Sequence, residues 1–155
     1  MNDSASGFSR GVNDGLVAAA TLVHFKAAAL LGFALTLSGL VVSHRPSGQA
    51  AGVFHLAGVV LLIASAGCAG AVIYPKKSTR RGGLIFWGDI VTHASAAAYA
   101  EELERLRAQE DREREYVFTN YRLSGVLSAK YDLIRWALCL LLLGAVLTGV
   151  GRVLG

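Results

Sequence analysis

The residue types that most often carry chemistry are few in this chain and are not grouped. Its four histidines, His24, His44, His55 and His93, fall at scattered positions and form no metal-binding spacing. Cys68 and Cys139 each lie inside an apolar window, without the partners or spacing of a zinc site. Thiols surrounded by lipid are poor disulfide candidates, so both cysteines read as small apolar packing residues. There is no phosphate-binding Walker loop, nucleophile elbow or carboxylate pair, and Gly82-Gly83 alone is too weak a signal for phosphate binding. Within Leu-Ile-Phe-Trp-Gly-Asp-Ile, residues 84–90, Phe86 and Trp87 could anchor at an interface, wall a pocket or pack on the next helix. Asp89 is placed either to N-cap a helix beginning at Ile90 or to contact a ligand. This inventory disfavours an enzyme.

The elements that would position these residues follow from hydropathy and charge. Of 155 residues, 54% are hydrophobic and 17% charged, where a soluble domain would carry about a quarter charged. Three windows are almost free of charge: Ala27 to Ser43, Phe54 to Tyr74, and Ala137 to Leu154. The first extends roughly 26 Å as helix, against a hydrocarbon core of about 30 Å. The apolar run Leu16 to Phe25 precedes it, and Lys26 can snorkel from the helix end. Pro75 closes the second window, and Arg152, in the last turn of the third, can reach the interface. The first window begins late and lacks a short basic head, so it reads as an uncleaved span and not a signal peptide.

The expected fold is therefore an all-α membrane protein with three transmembrane helices and a helical cytoplasmic segment between the second and third. Its boundaries are an N-terminal tail at 1–26, a span at 27–43, an outer loop at 44–53, a span at 54–74, the cytoplasmic segment at 75–136 and a span at 137–154. Thirteen lysines and arginines lie in the tail and the 75–136 segment, against Arg45 and Arg152 elsewhere. That asymmetry places the N-terminus and residues 75–136 in the cytoplasm. It also accounts for the net charge of +4 without nucleic acid as a partner.

The cytoplasmic segment begins with the basic stretch Tyr74-Pro-Lys-Lys-Ser-Thr-Arg-Arg-Gly-Gly. A helical pattern runs from Val91 to about Gln109 and on through Glu115. It is supported by Glu101–Arg105, Glu104–Arg107 and Glu110–Arg114 at helical spacing. Whether residues 90–130 make one helix or a hairpin stays open. Val117, Tyr121, Ser124, Ser128 and Tyr131 form a stripe, and with no proline in the way a helix should run unbroken from about Tyr116 into the third span. About sixty residues with so few aliphatics cannot easily fold as an independent catalytic domain. No acidic residue lies inside a span, which argues against a transporter or proton relay. The spans instead carry small residues that allow close helix approach, Ser65, Ala66, Gly67, Ala69 and Gly70 in the second and Gly144, Thr148 and Gly151 in the third. Packing within one subunit and between subunits predict the same residues.

The order of these parts resembles the transmembrane effector family of Pycsar, the pyrimidine cyclase system for antiphage resistance. The resemblance covers the chain from about His24 onward. It rests on HFKAA at the first span, Tyr74-Pro75 followed by a basic residue, FWGDI at 86–90 and KYDLIRWA at 130–137. His24 stands near where the family tends to have an acidic residue, and Lys76 where arginine is common. The resemblance implies an effector in the bacterial inner membrane, activated by cyclic CMP or cyclic UMP from a partner cyclase, that impairs the membrane and causes abortive infection. It makes residues 75–136 a sensor segment and a homo-oligomer the expected assembly, with the nucleotide as activating ligand and no cofactor. One negative phosphate and one flat base suit Arg80 or Arg81 for the phosphate and Trp87 or Tyr99 for stacking, with Asp89 as a further contact. The competing readings are an effector answering a cyclic dinucleotide and a structural or adaptor membrane protein that recruits a cytoplasmic partner.

Overall fold

In the computed structural model, residues 3–43, 46–74, 84–85, 90–105 and 109–154 are described. They form four helices: α1 (Asp3–Val42), α2 (Gln49–Ile73), α3 (Ala96–Arg105) and α4 (Gln109–Leu154). There is no strand among the described residues. Parts of α1, α2 and α4 are long and apolar enough to cross a membrane, namely Phe8–Val42, Gln49–Ile73 and Arg112–Leu154. The all-α, three-span expectation holds.

The chain divides into two compact units. One comprises Met1–Ala20 with Pro75–Ser128, the other Thr21–Tyr74 with Ala129–Gly155. In the second unit α1, α2 and α4 pack around Ala34, Val41, Leu62, Ala66 and Leu141, with Leu30, Leu31, Leu37 and Val59 against them. Val23, Ala27, Leu30, Ala34, Leu37 and Val41 follow one another at alternating four- and three-residue steps, all buried or half-buried. Steps of that kind keep one seam of a helix turned to its partner over several turns. Ile134, Ala137, Leu141, Gly144, Thr148 and Gly151 repeat the pattern on α4, and all are buried.

Small residues bring α2 and α4 close. A Cβ added at Gly58 would lie 2.4 Å from Thr148 Cγ2 and 2.8 Å from the Gly144 carbonyl oxygen. One added at Gly151 would lie 3.1 Å from the Ala51 carbonyl oxygen. The fully buried Ser65 hydroxyl donates to the Ala137 carbonyl at 2.7 Å. The outer faces are the reverse of a soluble protein's: Phe33, Leu35, Val60, Ile63, Leu142 and Val146 are each more than half exposed. A bilayer is the solvent for such a surface, since lipid tails are as apolar as the side chains.

In the first unit, the Asn13 amide donates to Asn120 Oδ1 at 2.9 Å, and the Asn120 amide donates to the Ser9 carbonyl at 3.0 Å. An asparagine pair in a helix seam specifies register, because only one alignment satisfies both amides. This contact explains why α1 is already helical from Asp3, well before the window that begins at Ala27. The stretch read as a tail has its own seam.

Helix boundaries in the middle of the chain depart from the sequence reading. Residues 91–95 turn instead of continuing a helix from Ile90, and α3 begins at Ala96. Ser95 is its cap: the Ala98 N–H donates to Ser95 Oγ at 3.1 Å, a stronger start signal than Val91-Thr92 could supply. Farther on, α4 runs unbroken from Gln109 to Leu154, as the absence of proline led one to expect.

Candidate functional site

The polar constellation most able to do chemistry lies in the first unit and is built by the turn at 91–95, by α3 and by α4. The His93 side chain is only 6% exposed, and its Nδ1 lies 3.5 Å from Glu102 Oε2. The Tyr99 ring covers the imidazole, centroid to centroid 5.3 Å at a tilt of 59°. At its other end the Tyr99 hydroxyl donates to the Leu84 carbonyl at 3.0 Å. The N–H of the buried Leu84 points at Glu115 Oε1, a long contact of 3.4 Å.

Local geometry explains the convergence. Ser95 ends the turn and starts α3, so Tyr99 and Glu102, three residues apart, share one face of the helix. The turn folds His93 back over that face, with the His93 N–H donating to the Ile90 carbonyl at 3.2 Å. The exposed Glu101–Arg105 pair, 3.1 Å apart, occupies another face and is worth little. The network therefore ties Leu84, three residues before Trp87, to α3 and α4. Chemically it offers carboxylates and an imidazole, groups that accept from a base's N–H or donate to its carbonyl oxygens.

Of the residues predicted to touch a ligand, Tyr99 falls within this network. Its hydroxyl is committed to Leu84 and one side of its ring to His93. Arg80, Arg81, Trp87 and Asp89, including the helix-capping reading of Asp89, lie outside the described residues. His93, Glu102 and Glu115 were not singled out from the sequence. No group of three or more histidine, cysteine or acidic side chains suited to a metal ion occurs among the described residues.

Three helices long and apolar enough to cross a membrane, in a chain that also carries a polar helical unit, define a class, the helical membrane protein. Residues 20–155 match the family model PycTM, described as the Pycsar effector protein domain. The chain belongs to that family, and with it to the transmembrane effectors of an antiphage system that includes a cyclase. No curated protein and no solved structure matches the chain.

Proposed function

We propose that this effector is switched by a cyclic pyrimidine mononucleotide, cyclic CMP or cyclic UMP, bound to the 75–136 segment on the cytoplasmic side. The bound state impairs the inner membrane and halts the infected cell. The observation that carries this reading is the family match over residues 20–155 in a chain with three spanning helices. The His93–Tyr99–Glu102 group supports it by supplying polar contacts in the segment that would sense the base. Arg80 and Arg81 remain the proposed phosphate partners, Trp87 or Tyr99 the proposed stacking partner and Asp89 a further proposed contact. The nucleotide acts only through its differential affinity for the closed and leaky states. Because each subunit brings three apolar helices, the leaky state is proposed to be an oligomer.

The test combines binding and barrier function. Detergent-purified protein should bind cyclic CMP or cyclic UMP, and Arg80→Ala or Arg81→Ala should weaken that binding about tenfold or more, as loss of a charge-assisted phosphate contact requires. In cells with the partner cyclase, infection should admit a membrane-impermeant dye. Dye exclusion throughout infection would point to an adaptor, and a response to cyclic dinucleotides alone would reassign the ligand. Unaltered binding in both arginine variants would remove the phosphate assignment.

A further inference from the structure

On the face of α3 that Tyr99 and Glu102 share, the groups able to donate a hydrogen bond are turned inward, while a carboxylate reaches solvent. The Tyr99 hydroxyl donates to the Leu84 carbonyl, and the Leu84 N–H points at Glu115 Oε1. The His93 side chain is almost wholly covered, packs against the Tyr99 ring and turns Nδ1 toward Glu102 Oε2. Glu102, by contrast, keeps 45% of its side chain exposed. An ionised carboxylate has about four acceptor sites, so one imidazole contact leaves it able to accept more. What this face presents to a solute is an acceptor.

The same placement favours a base over a phosphate. α3 carries Glu101, Glu102 and Glu104 against Arg105, so its net negative charge repels a phosphate. Tyr99 and Glu102 are three residues apart on the helix, about 5–6 Å between their Cβ atoms. A flat ring stacked on Tyr99, on the side away from His93, therefore meets Glu102 with its edge. The two pyrimidines differ at that edge. Cytosine bears an amine at C4, where uracil bears a carbonyl oxygen. A carboxylate accepts from the amine, as acidic side chains do from cytosine in DNA, and is repelled by the oxygen.

Granted the cyclic pyrimidine mononucleotide proposed above, we propose that Glu102 selects between the two by accepting a hydrogen bond from the exocyclic amine of cytosine. The activating ligand is then cyclic CMP, and Glu102 is the residue that excludes cyclic UMP.

Titration of the full-length, detergent-purified protein with each nucleotide tests this. Cyclic CMP should bind about tenfold or more tightly than cyclic UMP, the discrimination expected of one hydrogen bond to a charged acceptor. In Glu102→Gln the side-chain amide can turn to accept from cytosine or donate to uracil, so the preference should fall to within about threefold. Glu101→Gln, on another face of α3, should keep the preference of the unaltered protein. A ligand-side measurement needs no folded variant: cyclic CMP dimethylated on its exocyclic nitrogen has no N–H there. It should bind the unaltered protein no better than cyclic UMP does. Equal affinities or a preference for cyclic UMP in the unaltered protein overturn the proposal, as does an unchanged preference in Glu102→Gln. Undiminished binding of the dimethylated nucleotide also overturns it. If the unaltered protein binds neither cyclic CMP nor cyclic UMP, the pyrimidine ligand itself is overturned, whereas equal binding of both overturns only the role of Glu102.

Discussion

Tyr99 carries two separable contacts, a hydroxyl on the Leu84 carbonyl and a ring on His93. Tyr99→Phe removes only the first and should cost about 0.5–1.5 kcal/mol, seen as faster hydrogen exchange near Leu84 in the full-length protein. If the ring stacks on a bound base, Tyr99→Phe keeps its affinity for the cyclic nucleotide, while Tyr99→Ala loses about tenfold or more. Equal affinity in both variants would make Tyr99 a staple and nothing further. The sequence offered Tyr99 as a candidate for stacking on a flat base, yet it concealed His93 and Glu102. A helix starting near Ile90 would set those two nine residues apart at about 100° each, on opposite faces. Ser95 caps the helix later, the turn at 91–95 reverses the chain, and the two side chains meet.

Among elements, the contact between α2 and α4 shows which of two effects dominates. Ser65→Ala deletes one interhelical hydrogen bond, and such bonds in membranes average about 0.6 kcal/mol. Gly58→Ala adds one methyl where the Thr148 side chain and the backbone of Gly144 and Thr148 already stand within 3 Å. Backbone cannot move aside as a flexible side chain can, so overpacking should cost about 1–3 kcal/mol. Gly67→Ala, with nothing within 4 Å of the added carbon, serves as the tolerated control. Melting temperatures in detergent should rank Gly58→Ala lowest, Ser65→Ala next and Gly67→Ala near the unaltered protein; any other order contradicts this packing. The spans themselves were legible, since freedom from charge over some twenty residues has few other meanings. The partner of each small residue was not. Ser65, Gly144, Thr148 and Gly151 face a helix of the same subunit, Gly67 and Gly70 face open space, and Gly58 escaped notice because it stands alone in an aliphatic run. Smallness signals close approach but carries no address. The early start of α1 was hidden for a related reason, because Asn13 looks like a tail residue until Asn120 is opposite it.

At the scale of the whole molecule, the question is where a polar solute could cross. The buried interior shared by α1, α2 and α4 in the second unit is aliphatic apart from Ser65 and Thr148 among the described residues. Both hydroxyls donate to helix carbonyls, Ser65 to Ala137 and Thr148 to Ala145 at 2.9 Å, so neither lines a wet path. A polar group crossing such an interior without partners costs several kcal/mol, and an ion far more. A passage formed between copies avoids that cost, because the exposed faces of the three helices can separate without breaking the subunit's own core. Leakage set off by the nucleotide should therefore rise more steeply than linearly with protein density. In vesicles at fixed nucleotide, the initial rate of dye release against the protein-to-lipid ratio should have a logarithmic slope of at least about two, as mass action requires of a multi-subunit state. Ser65→Ala should leave that slope and the rate per folded protein unchanged. A slope of one, or a rate altered by loss of the Ser65 hydroxyl in a fully folded variant, would place the passage inside a single subunit.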